Sequence, residues 1–204
     1  AEIHGLTLSH CYIHGNSTLY QDAGTRGAVF EYCTFADSHT ANGAPQYPHD
    51  NMMFLQQDND MTIRYCTFTN WDATGVYPNG AASAGTNRVY GNYFVDYAEG
   101  GAMGAITFYA TITSASRWLI YNNTFKNTRM PIFRDTGADP SGGVTNNIFA
   151  ESSAFNDFGN LGHDFNWWGY STKQNEANGI VGYSTNVFQT APNIVTNVGA
   201  AFPR

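Results

Sequence analysis

A solenoid of stacked β-coils is the architecture this chain of 204 residues encodes. Three observations point to it: a short phrase that returns six times, the uneven distance between its copies, and the residue ladders those copies generate. The phrase reads apolar residue, two variable residues, Cys or Asn, one variable residue, then Phe or Ile. Its first copy is Leu8-Ser9-His10-Cys11-Tyr12-Ile13, and the others occupy 30–35, 63–68, 89–94, 120–125 and 144–149. The fourth residue falls at 11, 33, 66, 92, 123 and 147, so successive differences are 22, 33, 26, 31 and 24 residues. Helical repeats and propeller blades hold a nearly constant length because the whole unit packs. A β-solenoid fixes its strands and lets its turns vary.

The apolar residue that opens each phrase starts a strand. It lies five positions from the closing Phe or Ile, so one straight strand would put the two on opposite faces, and a bend must lie between them. The Cys or Asn at the fourth place suits that bend, because Asn tolerates the left-handed αL region and its amide can bond the coils above and below. Coils lie about 4.8 Å apart, so equivalent residues line up. One ladder is Cys11, Cys33, Cys66, Asn92, Asn123 and Asn147. The other is Ile13, Phe35, Phe68, Phe94, Phe125 and Phe149, an inward stack that supplies much of the core. Residues 1–150 are therefore read as parallel β-helix coils, about six to seven in a rod of about 30 Å. Residues 151–204 lose the phrase and include Phe165-Asn166-Trp167-Trp168-Gly169-Tyr170; they are read as irregular final coils or a C-terminal cap of the same domain. The chain enters its first phrase almost directly, with no amphipathic helix to cover the first coil. An uncovered coil exposes apolar side chains and strand edges, which invites stacking by another chain.

Two stretches carry a family resemblance. His49-Asp50-Asn51-Met52-Met53-Phe54-Leu55-Gln56, leading into Met61-Thr62-Ile63-Arg64-Tyr65-Cys66-Thr67-Phe68, is similar to the right-handed parallel β-helix superfamily, the pectate-lyase-like fold. Trp118-Leu119-Ile120-Tyr121-Asn122-Asn123-Thr124-Phe125 has the same look, and the resemblance covers roughly residues 6–150. It implies an all-β, right-handed parallel β-helix. It implies no single activity, because that superfamily holds polysaccharide lyases, glycoside hydrolases, epimerases, phage tailspikes and adhesins.

Composition narrows the partners. Charged residues make up 12% of the chain, Lys occurs only at 126 and 173, and the net charge is −7, so the clustered Lys and Arg that phosphate binding needs are missing and nucleic acid is excluded. No apolar run reaches the length of a membrane span. Gly occurs 21 times and Asn is as frequent, which gives a neutral, amide-rich surface that suits a secreted or cell-surface protein. The three cysteines share one ladder position and are read as small, half-apolar replacements for Asn. Adjacent coils bring Cα atoms within disulfide range, so Cys11–Cys33 or Cys33–Cys66 bonds are within geometric reach, with free thiols preferred. A metal on the stacked thiols is disfavoured, since no second CxxC motif or clustered His assists.

In related folds the strand after the phrase, here near 18–21, 51–56, 75–77, 105–108 and 130–134, forms a sheet that often carries a carbohydrate groove. If Leu19, Met52, Val76, Ile106 and Ile132 point in, alternation aims Tyr20, Met53, Tyr77, Thr107 and Phe133 outward as an apolar and aromatic stripe. A sugar, another protein or a long loop could cover such a stripe. The insertion 36–50, with His39, Tyr47, His49 and Asp50, stands at its edge. His49 and Asp50 form the first catalytic candidate: paired carboxylates could divide acid and base roles or hold Ca²⁺ against an acidic sugar, with Asp58 and Asp60 as the metal ligands. Turn chemistry alone would also choose those Asp positions. Lys126 with Arg129, Arg134 and Asp135 is the second candidate, because lyases remove the proton beside a uronate carboxylate with a cationic base. Here too the bland reading leads, since a solvated residue is expected after Phe125. Tyr20, Tyr77, Phe133, Trp167 and Trp168 are the substrate-binding candidates, the last two as a stacking platform or as a plug for the final coil. Asn16 and Asn122 open glycosylation sequons.

Two function classes follow. One is an extracellular β-helix that binds a polysaccharide, and as an enzyme would cleave it by β-elimination or hydrolysis. The other is a structural module, an adhesin, spike or filament subunit that self-associates end to end through open coils.

Overall fold

A computed structural model describes residues 4–38, 50–56, 59–80, 85–96, 104–151, 158–169 and 176–182. The strands form three parallel sheets. The first stacks Thr7–Ser9, Val29–Glu31, Thr62–Arg64, Gly85–Tyr90, Ser116–Tyr121, Ser141–Thr145 and Gly162–Asp164. The second stacks Tyr12–His14, Thr34–Ser38, Thr67–Trp71, Tyr93–Val95, Thr124–Lys126, Ile148–Ala150, Trp167–Gly169 and Ile180–Gly182. The third stacks Tyr20–Ala23, Asn51–Gln56, Thr74–Asn79, Ile106–Phe108 and Ile132–Arg134. The first five coils contribute in turn to the three sheets and then return to the first, which is a parallel β-helix; the described strands of the later coils extend the first and second sheets only.

Both ladders form, and each runs one coil further than the repeated phrase does. Phe35, Phe68, Phe94, Phe125 and Phe149 are fully buried and stack face to face at centroid distances of 5.0, 4.6, 4.9 and 5.1 Å. Trp168 continues the stack, 4.4 Å from Phe149. In the amide ladder the backbone N–H groups of Cys66, Asn92, Asn123 and Asn147 donate to Oδ1 of Asn92, Asn123, Asn147 and Asn166 at 2.9–3.0 Å. The Asn92, Asn123 and Asn147 Nδ2 groups donate to the same oxygens at 3.0–3.1 Å. Burying an amide is costly unless its groups are bonded. The ladder meets that condition by letting each amide serve its neighbours.

The left-handed bend lies one residue earlier than expected. His10, Tyr32, Tyr65, Gly91, Asn122, Asn146 and Phe165, the third place of each phrase, have φ between 53° and 66°. The αL residue turns the chain, and the Cys or Asn after it then projects inward with its amide between coils. A second αL corner follows the second sheet at Gly15, Asp37, Asn70, Asp96, Asn127 and Glu151. There Asn70 Nδ2 donates to Asp37 Oδ1 at 2.7 Å and Asn127 Nδ2 to Asp96 Oδ1 at 2.9 Å. An amide between acids relieves the repulsion that stacked carboxylates would suffer.

Regular coils also continue past residue 150. Gly162–Asp164 pairs with 143–145 and Trp167–Gly169 with 148–150, so 163–168 is a seventh phrase with His163 in the apolar place and Trp168 in the Phe place. At this end the buried Glu176 accepts from Asn166 Nδ2 at 2.8 Å through one oxygen and from Trp168 Nε1 through the other. A carboxylate, which can only accept, ends a ladder whose last amide still has a proton to give.

Candidate functional site

The third sheet does not present the expected stripe. Tyr20 aligns with Met53, and Met53 with Val76, which aligns with Ile106 and so with Ile132. That row is inward: Met53, Val76, Ile106 and Ile132 are fully buried, and the Tyr20 ring packs edge-on against core Phe30 at 4.8 Å. The outward row is Gln21, Phe54, Tyr77, Thr107 and Phe133, so Tyr20 and Met53 face opposite to the expectation. The aromatic part of this row is largely covered, since Phe54, Tyr77 and Thr107 are buried and Phe133 is half-exposed, while the exposed member is Gln21. Phe54 and Tyr77 pack together at 5.6 Å, and Tyr109 meets the Tyr77 ring edge at 5.7 Å.

The described charged candidates fall on different coils, Asp50 leading into the second strand of the third sheet, Asp60 preceding Thr62–Arg64, and Lys126 and Arg134 two coils further on. Asp50 is buried, 2% exposed, beside the start of Asn51–Gln56. Arg134 donates from Nη1 to the Ala138 carbonyl at 2.7 Å, and Gly159 lies so close that an added Cβ would come 2.5 Å from Nε. It therefore closes the 135–138 turn. Lys126 is half-buried in the second sheet, whereas Arg134 belongs to the third. Asp60 has φ 56° and accepts from the Thr86 N–H at 3.0 Å, so its carboxylate organises a turn. Among the described residues no group of three or more His, Cys, Asp or Glu could hold a metal ion. His49, Asp58, Tyr47, His39 and Tyr170 lie outside the described residues. Trp167 is half-buried on the outer face of the second sheet, but Trp168 is buried in the core and its ring offers no surface for stacking.

A different surface does assemble. The second and third places of the phrase point outward at the corner between the first and second sheets, and aromatic residues fill them on five successive coils. His10 stacks on Tyr32 at 5.0 Å and Tyr32 on Tyr65 at 5.2 Å. Tyr65 meets the edge of Tyr90 at 5.5 Å, and Tyr90 stacks on Tyr121 at 4.9 Å. The row crosses from the third place to the second at Gly91, where a Cβ would come 2.6 Å from the Tyr65 ring. With no side chain there, Tyr65 can lean over to Tyr90. Arg64 lies within the ribbon: Nε and Nη2 donate to Glu31 Oε2 at 2.9 and 2.6 Å, and Nη1 donates to the Tyr90 hydroxyl at 3.1 Å. These bonds to Tyr90 and Glu31 raise the Arg64 pKa, while the Arg64 hydrogen bond holds Glu31 below the usual carboxylate range. Partial burial pushes the Tyr121 phenol up. The ribbon is thus a neutral strip of ring edges and hydroxyls with one fixed ion pair. Its signal in the sequence is Tyr or His in the second or third place of five copies of the phrase.

Compared with known proteins, the chain matches no family model, no curated protein and no solved structure.

Proposed function

We propose that this parallel β-helix binds an extracellular polysaccharide along the outer ribbon of His10, Tyr32, Tyr65, Tyr90 and Tyr121. The observation that carries this reading is the continuity of the ribbon over five coils, with Tyr32 36% exposed. Contiguous exposed aromatics on a soluble surface mark an interaction site. Tyrosine suits a sugar polymer because it offers an apolar body for C–H faces and a hydroxyl for hydrogen bonds. The low charge of the chain favours a neutral or weakly acidic polymer. Secretion or surface display and kinship with the pectate-lyase-like superfamily are parts of the same proposal.

End-to-end assembly is the competing reading, and one feature of the first coil works against it. Asp22 aligns with core Leu55 in an inward row, with its Oδ2 accepting from the Tyr20 hydroxyl at 2.6 Å. Among the described residues Tyr20–Ala23 is the outermost strand of the third sheet, and an inward charge there opposes strand addition.

The test is calorimetric titration of the chain with neutral and uronic-acid polysaccharides, with absorbance followed for an unsaturated cleavage product. The Tyr32→Ala/Tyr65→Ala double variant should bind at least about tenfold more weakly, a loss of about 1.4 kcal/mol, with unchanged circular dichroism. Equal affinity of variant and parent would sink the ribbon as the site. Concentration-dependent rods in light scattering would favour the assembly reading instead.

A further inference from the structure

We propose that Cys11 and Cys33 form a disulfide-forming pair, with Cys33 as the resolving cysteine. The sequence admits Cys11–Cys33 and Cys33–Cys66 bonds equally, and the structure separates them. The two thiol steps are held at coil spacing by backbone bonds, Thr34 N–H to the Cys11 carbonyl at 2.8 Å and Thr67 N–H to the Cys33 carbonyl at 2.9 Å. The coil spacing of about 4.8 Å lies inside the Cα range of natural disulfides. The Cys11 N–H points at Cys33 Sγ from 3.4 Å, and the Cys33 thiol in turn donates to the Glu31 and Leu8 carbonyls at 3.3 and 3.5 Å. Cys33 lies on the middle coil of the three, joined through its backbone to the coils of Cys11 and Cys66.

Access and acidity then select the partner. Cys66 is buried, and burial pushes its thiol well above the ordinary value. Cys33 is also buried, but hydrogen bonding from Cys66 lowers its pKa to about 6. Cys11 is half-exposed, its pKa raised by desolvation and by Cys33, and it is the sulfur a dissolved oxidant can reach. The thiolate is the attacking species, so the arrangement supplies an accessible thiol beside a buried nucleophile.

With a low-molecular-weight disulfide RSSR as the oxidant, the Cys11 thiolate attacks one sulfur, forming Cys11–S–SR as the S–S bond breaks and RS⁻ leaves. The Cys33 thiolate then attacks Cys11 Sγ, forming the Cys11–Cys33 bond and expelling the second RS⁻. The two cysteines are oxidised, RSSR is reduced to two RSH, and the two thiol protons end on those products. The bond would tie the first coil to the second, and Cys66 would stay a free thiol. An oxidising extracellular setting is where such a bond persists.

The experiment treats the native, full chain with oxidised glutathione, alkylates the remaining thiols with N-ethylmaleimide in denaturant, and maps the peptides by mass spectrometry. The expected product is a Cys11–Cys33 disulfide with alkylation at Cys66 alone, and a melting temperature that rises on oxidation and falls back with dithiothreitol. Cys66→Ser should leave the bond intact, and Cys33→Ser should stop at the mixed disulfide on Cys11. A Cys33–Cys66 bond, a persistent Cys11 mixed disulfide in the parent chain, or three alkylated thiols would overturn the assignment. The parent's peptide map decides even if a variant fails to fold.

Discussion

Glu31 and Arg64 show how one outward ion pair links the ribbon to pH. The Arg64 guanidinium binds one Glu31 oxygen from two nitrogens and lowers the carboxyl pKa in the folded chain. A carboxylate with a depressed folded pKa stabilises the fold fully above its unfolded value, near 4.5, and loses that contribution as pH falls through the lower folded value. The pair is only partly buried, so the effect is small and screened by salt. Arg64→Ala should bring the Glu31 pKa back up toward its ordinary value, as read by carboxyl NMR titration; an unmoved titration would show that something other than Arg64 depresses it. The pair was only half legible in the sequence. Glu31 and Arg64 occupy the same place in consecutive copies of the phrase, which sets them side by side. The Arg64 bond to Tyr90, by contrast, needs the side-chain direction that only a fold supplies.

Strand by strand, legibility followed the amount of independent patterning. The phrase marks two inward positions around a bend, so both ladders could be read from the letters. The third sheet has no phrase, and one of its inner strands, with Met52-Met53-Phe54-Leu55, is buried on both faces. Such a strand shows no alternation, and a slip of one residue exchanges the two faces without any clue in the sequence. That is why Tyr20 and Met53 were aimed the wrong way. The seventh phrase is masked in the sequence for a different reason: His163 and Trp168 replace the apolar residue and Phe, although Asn166 keeps the ladder. The amide ladder makes its own prediction at this scale. Asn123 accepts at Oδ1 from the Asn92 N–H and Nδ2 and donates from Nδ2 to the Val89 carbonyl at 2.8 Å. Asn123→Ala leaves those buried groups without partners, at about 1–3 kcal/mol for each orphaned group. Urea unfolding should show a loss of at least that size, and a loss under about 0.5 kcal/mol would mean the ladder bonds are readily replaced by water.

In a solenoid each coil touches only its neighbours, so stability is distributed along the axis as a sum of local terms. The stack of aromatic rings makes that distribution uneven. Phe68 lies between Phe35 and Phe94 with no exposure, whereas Ile13, its counterpart in the first coil, is half-buried and has a described neighbour on one side only, Phe35. Removing a side chain from a fully packed site costs the transfer term and the cavity left behind, about 3–5 kcal/mol for Phe→Ala. Ile13 is already half-buried, so truncation there removes less buried surface and leaves a smaller cavity. Phe68→Ala should therefore cost several times as much stability as Ile13→Ala in matched denaturant melts. Native-state hydrogen exchange should show the same gradient from the backbone side. Amides of Tyr12–His14 should exchange through local opening, and those of Thr67–Trp71 and Tyr93–Val95 only through larger, sub-global unfolding. Equal costs for the two variants, or uniform protection along the axis, would mean that the rod unfolds as one cooperative block and that its first coil is held by contacts beyond its own neighbours.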